Sequence, residues 1–185
     1  MTSFHLLTAG YFGDSTASTV SLIESEDSLI VIDPGMVRSR GVILDPMQGL
    51  GHSPEEVTDV VISHHHPDHT INVGMFANAR VHDHWAIYHN DMWLSRSAEG
   101  HEVAPGVTLW ETPGHTAQDI TTIVETDQGV VALTHLWWHE SSPFDDPLGT
   151  DQEGLHVGRA RVLERADLIV PGHGEPFTPG PATSR

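Results

Sequence analysis

The chain has 185 residues, enough for one domain with a substantial core, and its 38% apolar content suits a globular protein. Its 26 acidic side chains against 8 basic ones give a net charge of -18. Such a surface repels phosphate backbones and disfavours broad nucleic-acid binding. Cysteine is absent, which excludes disulfides and thiolate metal sites, while histidine occurs 15 times. No apolar run reaches the roughly 20 residues needed to span a bilayer, and the N-terminus lacks a basic start followed by an apolar stretch. These features give the expectation of a cytoplasmic chain without a membrane segment.

Taken in chain order, short apolar runs bounded by turn residues dominate. Val20–Glu24 and Leu29–Asp33 flank an acidic turn and read as a hairpin. A helix is expected from Arg38 to about Leu50, and one helical turn over Pro54–Val57. Val60–Ser63 is a short β-branched strand that runs into His64-His65-His66-Pro67-Asp68-His69. Helices are expected over Thr70–Phe76 and Trp85–Trp93, with a strand at Ala79–His82 between them. Val107–Glu111 reads as a strand, and Ile120–Glu125 with Val130–Thr134 as a second hairpin. Leu155–Arg165 has helical spacing, and Leu168–Val170 is a last strand. Strands interspersed with helices make an α/β or α+β layered domain. One domain over residues 1–177 is expected, followed by a loose tail over 178–185.

The polar clusters fall where strands end. His64, His115, His135 and His173 each follow a strand, the pattern of a site assembled from loops at one sheet edge. Within the first cluster, His64 and His66 share one side of an extended backbone, and Pro67 biases His66 away from helix. Asp68 and His69 are offset and reach towards a second position. All donors are nitrogen or oxygen, which suits zinc, with iron or manganese as alternatives.

His64-x-His66-x-Asp68-His69 resembles the signature of the metallo-β-lactamase superfamily. Val31-Ile32-Asp33-Pro34-Gly35, Pro113-Gly114-His115-Thr116 and Pro171-Gly172-His173-Gly174 extend the resemblance in order and separation. It covers the chain from about His5 to Phe177, and looks most like the small metallo-β-lactamase-domain-containing proteins rather than the antibiotic-degrading lactamases. The resemblance implies a four-layer αβ/βα sandwich with a dinuclear site. By position it implies that His64, His66 and His115 hold one metal and Asp68, His69 and His173 the other, with Asp33 orienting the histidine loop.

One position departs from that pattern. The family usually carries a bridging aspartate where this chain has His135, and a neutral imidazole gives one nitrogen to one ion. Losing the anion weakens the second position, leaving three outcomes: one ion, two ions bridged without the carboxylate, or a preference for iron. Glu140, Asp145 and Asp146 are the nearby carboxylates.

The chemistry implied is hydrolysis by metal-activated water of a small ester, thioester or lactone, with Asp68 as the catalytic carboxylate. The alternatives are a phosphodiesterase or nuclease of the same fold, an iron-dependent redox enzyme, and a non-catalytic metal-binding protein. The expected partner is a small-molecule substrate; oligomeric state is open, with a homodimer one alternative. Trp93, Trp137 and Trp138 are candidates for an apolar pocket wall, and His139 and His156 for substrate contact.

Overall fold

The computed structural model describes residues 1–185. Strands β1 (Thr2–Thr8), β2 (Val20–Ser25), β3 (Ser28–Ile32) and β4 (Asp59–Val61) begin the first sheet. β5 (Arg80–His82), β6 (Ala86–His89) and β7 (Met92–Ser95) complete it in sequential order. β3–β4 and β4–β5 pair in parallel and the other neighbours antiparallel. The second sheet runs β12-β11-β10-β9-β8, formed by β8 (Glu102–Ala104), β9 (Val107–Glu111), β10 (Ile120–Thr126), β11 (Gly129–Thr134) and β12 (Leu168–Pro171). Helices are α1 (Gly41–Gly49), the single turn α2 (Pro67–Thr70) and α3 (Gln152–Leu163).

The layering follows from side-chain alternation with a period of two. In β3, Ile30 and Ile32 enter the core between the sheets, where Leu109, Val124 and Leu133 meet them. Leu29 and Val31 point the other way, onto Ile43 and Met47 of α1. In the second sheet Val131, Leu133 and Val170 face the shared core, while Ala132 and Ile169 face Leu155 and Val162 of α3. Three apolar layers thus separate helix, sheet, sheet and helix. This is the four-layer αβ/βα sandwich expected from the sequence.

Two expected helices are corrected. Trp85–Trp93 forms the β6–β7 hairpin, turning at Asn90 with φ +54°. The buried Asp83 carboxylate accepts the amides of Trp85 and Ala86 and the Tyr88 hydroxyl, an arrangement that would also start a helix. Pairing of Ile87 and Tyr88 with β5 on one side and β7 on the other makes the segment a strand instead. Around Thr70–Phe76, the helical turn starts earlier, at Pro67, where proline's fixed φ and missing N–H are tolerated. A 3₁₀ turn over Val73–Met75 follows it. Strands β1 and β8 carry too short or too mixed a pattern to stand out in the sequence. Near the chain end, Ser184 accepts a hydrogen bond from the Trp137 indole. No helix is long and apolar enough to cross a membrane.

Candidate metal centre

Strands β3 and β4 end at one edge of the first sheet, and β9, β11 and β12 at one edge of the second, because each group runs in a common direction. Asp33, Ser63-His64, His115, His135 and His173 follow those ends. The two edges are tied directly by the Ile120 amide donating to the Ser63 carbonyl, 2.9 Å.

Asp33 organises the histidine loop. Its carboxylate accepts the Ser63 amide (2.7 Å), the Ser63 hydroxyl (2.6 Å) and His69 Nδ1 (2.9 Å). It does so from a left-handed backbone, φ +50°, a conformation that aspartate tolerates better than most residues. Gly35 follows because the chain there lies on the loop: a Cβ would come within 1.6 Å of the Asp68 carbonyl. His65 turns outward to the buried Asp83, 2.9 Å, so its neighbours His64 and His66 both face inward. His66 is extended, φ -68° and ψ 145°, as its place before proline requires.

The inward nitrogens form two groups. His64 Nε2 lies 3.0 Å from His66 Nδ1, which lies 3.2 Å from His115 Nε2. Ser63 donates its hydroxyl proton to Asp33, so its oxygen accepts from His64 Nδ1, and Asp146 accepts from His115 Nδ1. That leaves the Nε2 lone pairs of His64 and His115 free. In the second group, Asp68 Oδ2 is 3.6 Å from both His69 Nε2 and His173 Nε2. His69 Nδ1 donates to Asp33 and His173 Nδ1 to the Ala17 carbonyl, again presenting Nε2 lone pairs inward.

His135 lies between the groups. Its ligand atoms combine with His64 and His69 in one cluster and with His115 and Asp146 in another, each within 4.8 Å. Its Nε2 is 3.1 Å from His173 Nε2. Gly172 makes room for it, since a Cβ there would meet the His135 ring at 2.4 Å.

Electrostatics favour neutral rings. Burial holds the pKa values of His64 and His135 far below the ordinary imidazole value, and those of His66 and His173 below it, with neighbouring histidines adding to the effect. His69 differs: burial opposes its charge, but Asp33, Asp68 and Asp119 together raise its pKa. His69 Nε2 and His135 Nδ1 are buried with no hydrogen-bond partner. Buried polar atoms are ordinarily paired. Two orphaned imidazole nitrogens among converging lone pairs fit divalent cations.

All seven residues singled out as ligands converge here. Sequence reasoning missed the part played by Asp146, a buried carboxylate that also accepts the Trp138 indole N–H, 3.1 Å. It stands behind His115, whereas Glu140 and Asp145 are exposed. Of the tryptophans, only Trp138 lines the pocket over the site; Trp137 is core and Trp93 is exposed on β7. His139 stacks on Phe12, and His156 binds Asp145. The Tyr11–Thr16 loop, silent in the sequence, forms one wall of the pocket, whose volume is about 1030 Å³.

A four-layer sandwich with two clusters of imidazole and carboxylate donors at its sheet edge has the donor set and layering of a known class of metal-binding fold. The family model described as the metallo-beta-lactamase superfamily matches residues 13–175, and the chain belongs to that superfamily. Metallo-beta-lactamase domain-containing protein 1 of Xenopus laevis is 32% identical over 95% of the chain and 81% of its own length. The Homo sapiens protein of that name is 33% identical over 88% of the chain, which spans 64% of its length. An N-acyl homoserine lactonase of Bacillus cereus is 28% identical, covering 82% of the chain and 79% of the lactonase. Among solved structures, a metallo-beta-lactamase from Thermotoga maritima superposes with a TM-score of 0.76 at 25% identity, covering 96% of this chain and 99% of that one. TTHA1623, solved in a di-iron-bound form, superposes with a TM-score of 0.69 at 20% identity, over 92% of this chain and 94% of that one.

Proposed function

We propose that this chain is a metal-dependent hydrolase acting on a small ester, thioester or lactone. The observation that carries the reading is the convergence of orphaned and lone-pair imidazole nitrogens on a pocket that Phe12, Met36 and Trp138 line with apolar surface. His64, His66 and His115 would hold one ion; Asp68, His69 and His173 a second, with His135 between them. Zinc suits this donor set, and so does iron or manganese. A divalent ion supplies Lewis acidity and lowers the pKa of water from about 15.7 towards 7.

The chain's own residues do the rest. Asp68, half-buried at the pocket floor, is placed to accept a proton at its carboxylate. Asp33 fixes the His69 ring and Asp146 the His115 ring, so the donors need not reorganise. Phe12, Met36 and Trp138 give apolar surface for an acyl chain. The lactonase relative supports a lactone-like substrate. The net charge of -18 weighs against a nucleic-acid substrate.

The test is a panel of esters, thioesters and lactones given to freshly purified protein whose metal content has been measured. Turnover that disappears on chelation and returns with added metal is the expected result. Full metal occupancy with no turnover across the panel would overturn the reading.

A further inference from the structure

The pocket over the metal centre carries one feature that hydrolysis alone does not require. All eight basic residues of the chain are arginines. Arg40 binds Asn72, Arg80 binds Asp59, Arg161 binds Glu99, Arg165 binds Glu125, Arg96 reaches a carbonyl, and Arg159 reaches three. The C-terminal Arg185 has no side-chain partner and lies outside the pocket. Arg38 likewise forms no ion pair or hydrogen bond, and it is the one basic side chain lining the pocket.

Its place there is not loose chance. Arg38 follows the segment pinned to the metal loop by the Met36 amide, which donates to the Asp68 carbonyl at 2.9 Å. Arg40, two residues on, is held by Asn72, whose amide donates to the Gly35 carbonyl. The same pocket contains Asp68 on its floor and Asp14 on the Tyr11–Thr16 loop, and neither pairs with Arg38. The same pocket is also lined by the apolar side chains of Phe12, Met36, Trp138 and Leu148. In a chain of net charge -18, an unpaired guanidinium on a pocket with both apolar and polar lining has the chemistry to attract an anion.

We propose that Arg38 binds an anionic terminus of the substrate, and so selects esters or lactones whose acyl chain ends in a carboxylate or similar anion. The inference rests on the pocket being the substrate site of the hydrolase reading. It names Arg38 as a specificity determinant with no role in bond cleavage.

The test uses binding, so that it does not depend on turnover. Tryptophan fluorescence, with Trp138 on the pocket wall, is titrated on the purified metal-containing chain with 1-octanesulfonate and with 1-octanol. Sulfonate is a weak metal ligand, so a preference for it reports on the guanidinium. The expected result is sulfonate binding about fivefold tighter than octanol, as an exposed ion pair allows. Arg38→Gln should abolish that preference and Arg38→Lys should retain part of it, and added salt should shrink it. Equal affinities in the parent protein, a preference that survives in Arg38→Gln, or no binding of either probe overturns the proposal. A clear Arg38-dependent preference in a protein that cleaves nothing in the ester panel would instead sink the hydrolase reading and leave the anchor standing.

Discussion

Asp146 accepts the Nδ1 proton of His115 at 2.9 Å, from a loop some thirty residues further along the chain. The carboxylate is buried yet its pKa is lowered: burial pushes it up, but the His115 hydrogen bond and the Leu148 amide outweigh that. Gln152 clamps the loop from α3, accepting the Asp146 amide and donating to its carbonyl. A carboxylate behind a ligating imidazole fixes its tautomer and raises its basicity. Asp146→Asn should therefore weaken metal binding by about 10- to 100-fold with little change in fold. Competition with a chromogenic chelator checks this, and unchanged affinity would reduce Asp146 to a loop staple.

His135 sets the second expectation. With Asp146 beside His115 and His135, negative charge lies at the margin of the centre, where the family pattern puts it between the ions. His135→Asp should tighten the weaker metal position by about tenfold or more, roughly 1.4 kcal/mol. Ions retained after dialysis, counted by elemental analysis, report the change. His135→Ala should leave the His64, His66 and His115 group occupied.

How much of this was legible in the sequence follows from where each signal lives. The histidine cluster, His115 and His173 sit at strand exits beside prolines and glycines, so local pattern and strand ends located them. Strands β2, β3, β10 and β11 were legible as short apolar runs, buried on both faces, but their stacking into four layers came only with the family resemblance. The β6–β7 hairpin was misread because its fate is decided by pairing with β5, a contact that exists only once the chain is folded. Asp146 and Arg38 were obscure for the same reason: one needs a partner far along the chain, and the other is defined by lacking one.

Asp33 holds the histidine loop in place. Three hydrogen bonds converge on its buried carboxylate, and Ser18 donates to its carbonyl. Asp33→Ala orphans the Ser63 amide and the His69 ring and leaves a left-handed backbone on a residue that disfavours it. A loss of about 3 kcal/mol or more is expected in denaturant titrations. Metal content should fall with it, and at a temperature where the variant is still folded. A variant that is destabilised but retains full metal would show that the loop orders itself.

Away from the centre, Asp59 gives a pH signature. It is fully buried, and it accepts a paired hydrogen bond from Arg80 (2.8 and 2.9 Å) and another from His82 Nε2 (2.7 Å). Burial raises its pKa, but the hydrogen bonds from His82 and Arg80 prevail and hold it below the ordinary aspartate value. A carboxylate whose folded pKa lies below its unfolded value binds fewer protons when folded. Its stabilisation is therefore complete above the unfolded pKa and is lost as pH falls through the folded one. Asp59→Asn should cost about 2–3 kcal/mol at neutral pH, less than the ~3–5 of a wholly buried pair because Arg80 can rehydrate. The gap between variant and parent should narrow below about pH 4, where the parent loses what the variant already lacks. Thermal unfolding followed from pH 7 to pH 3 reads this directly; a gap constant across that range would mean that the Asp59 charge contributes nothing and only its shape matters.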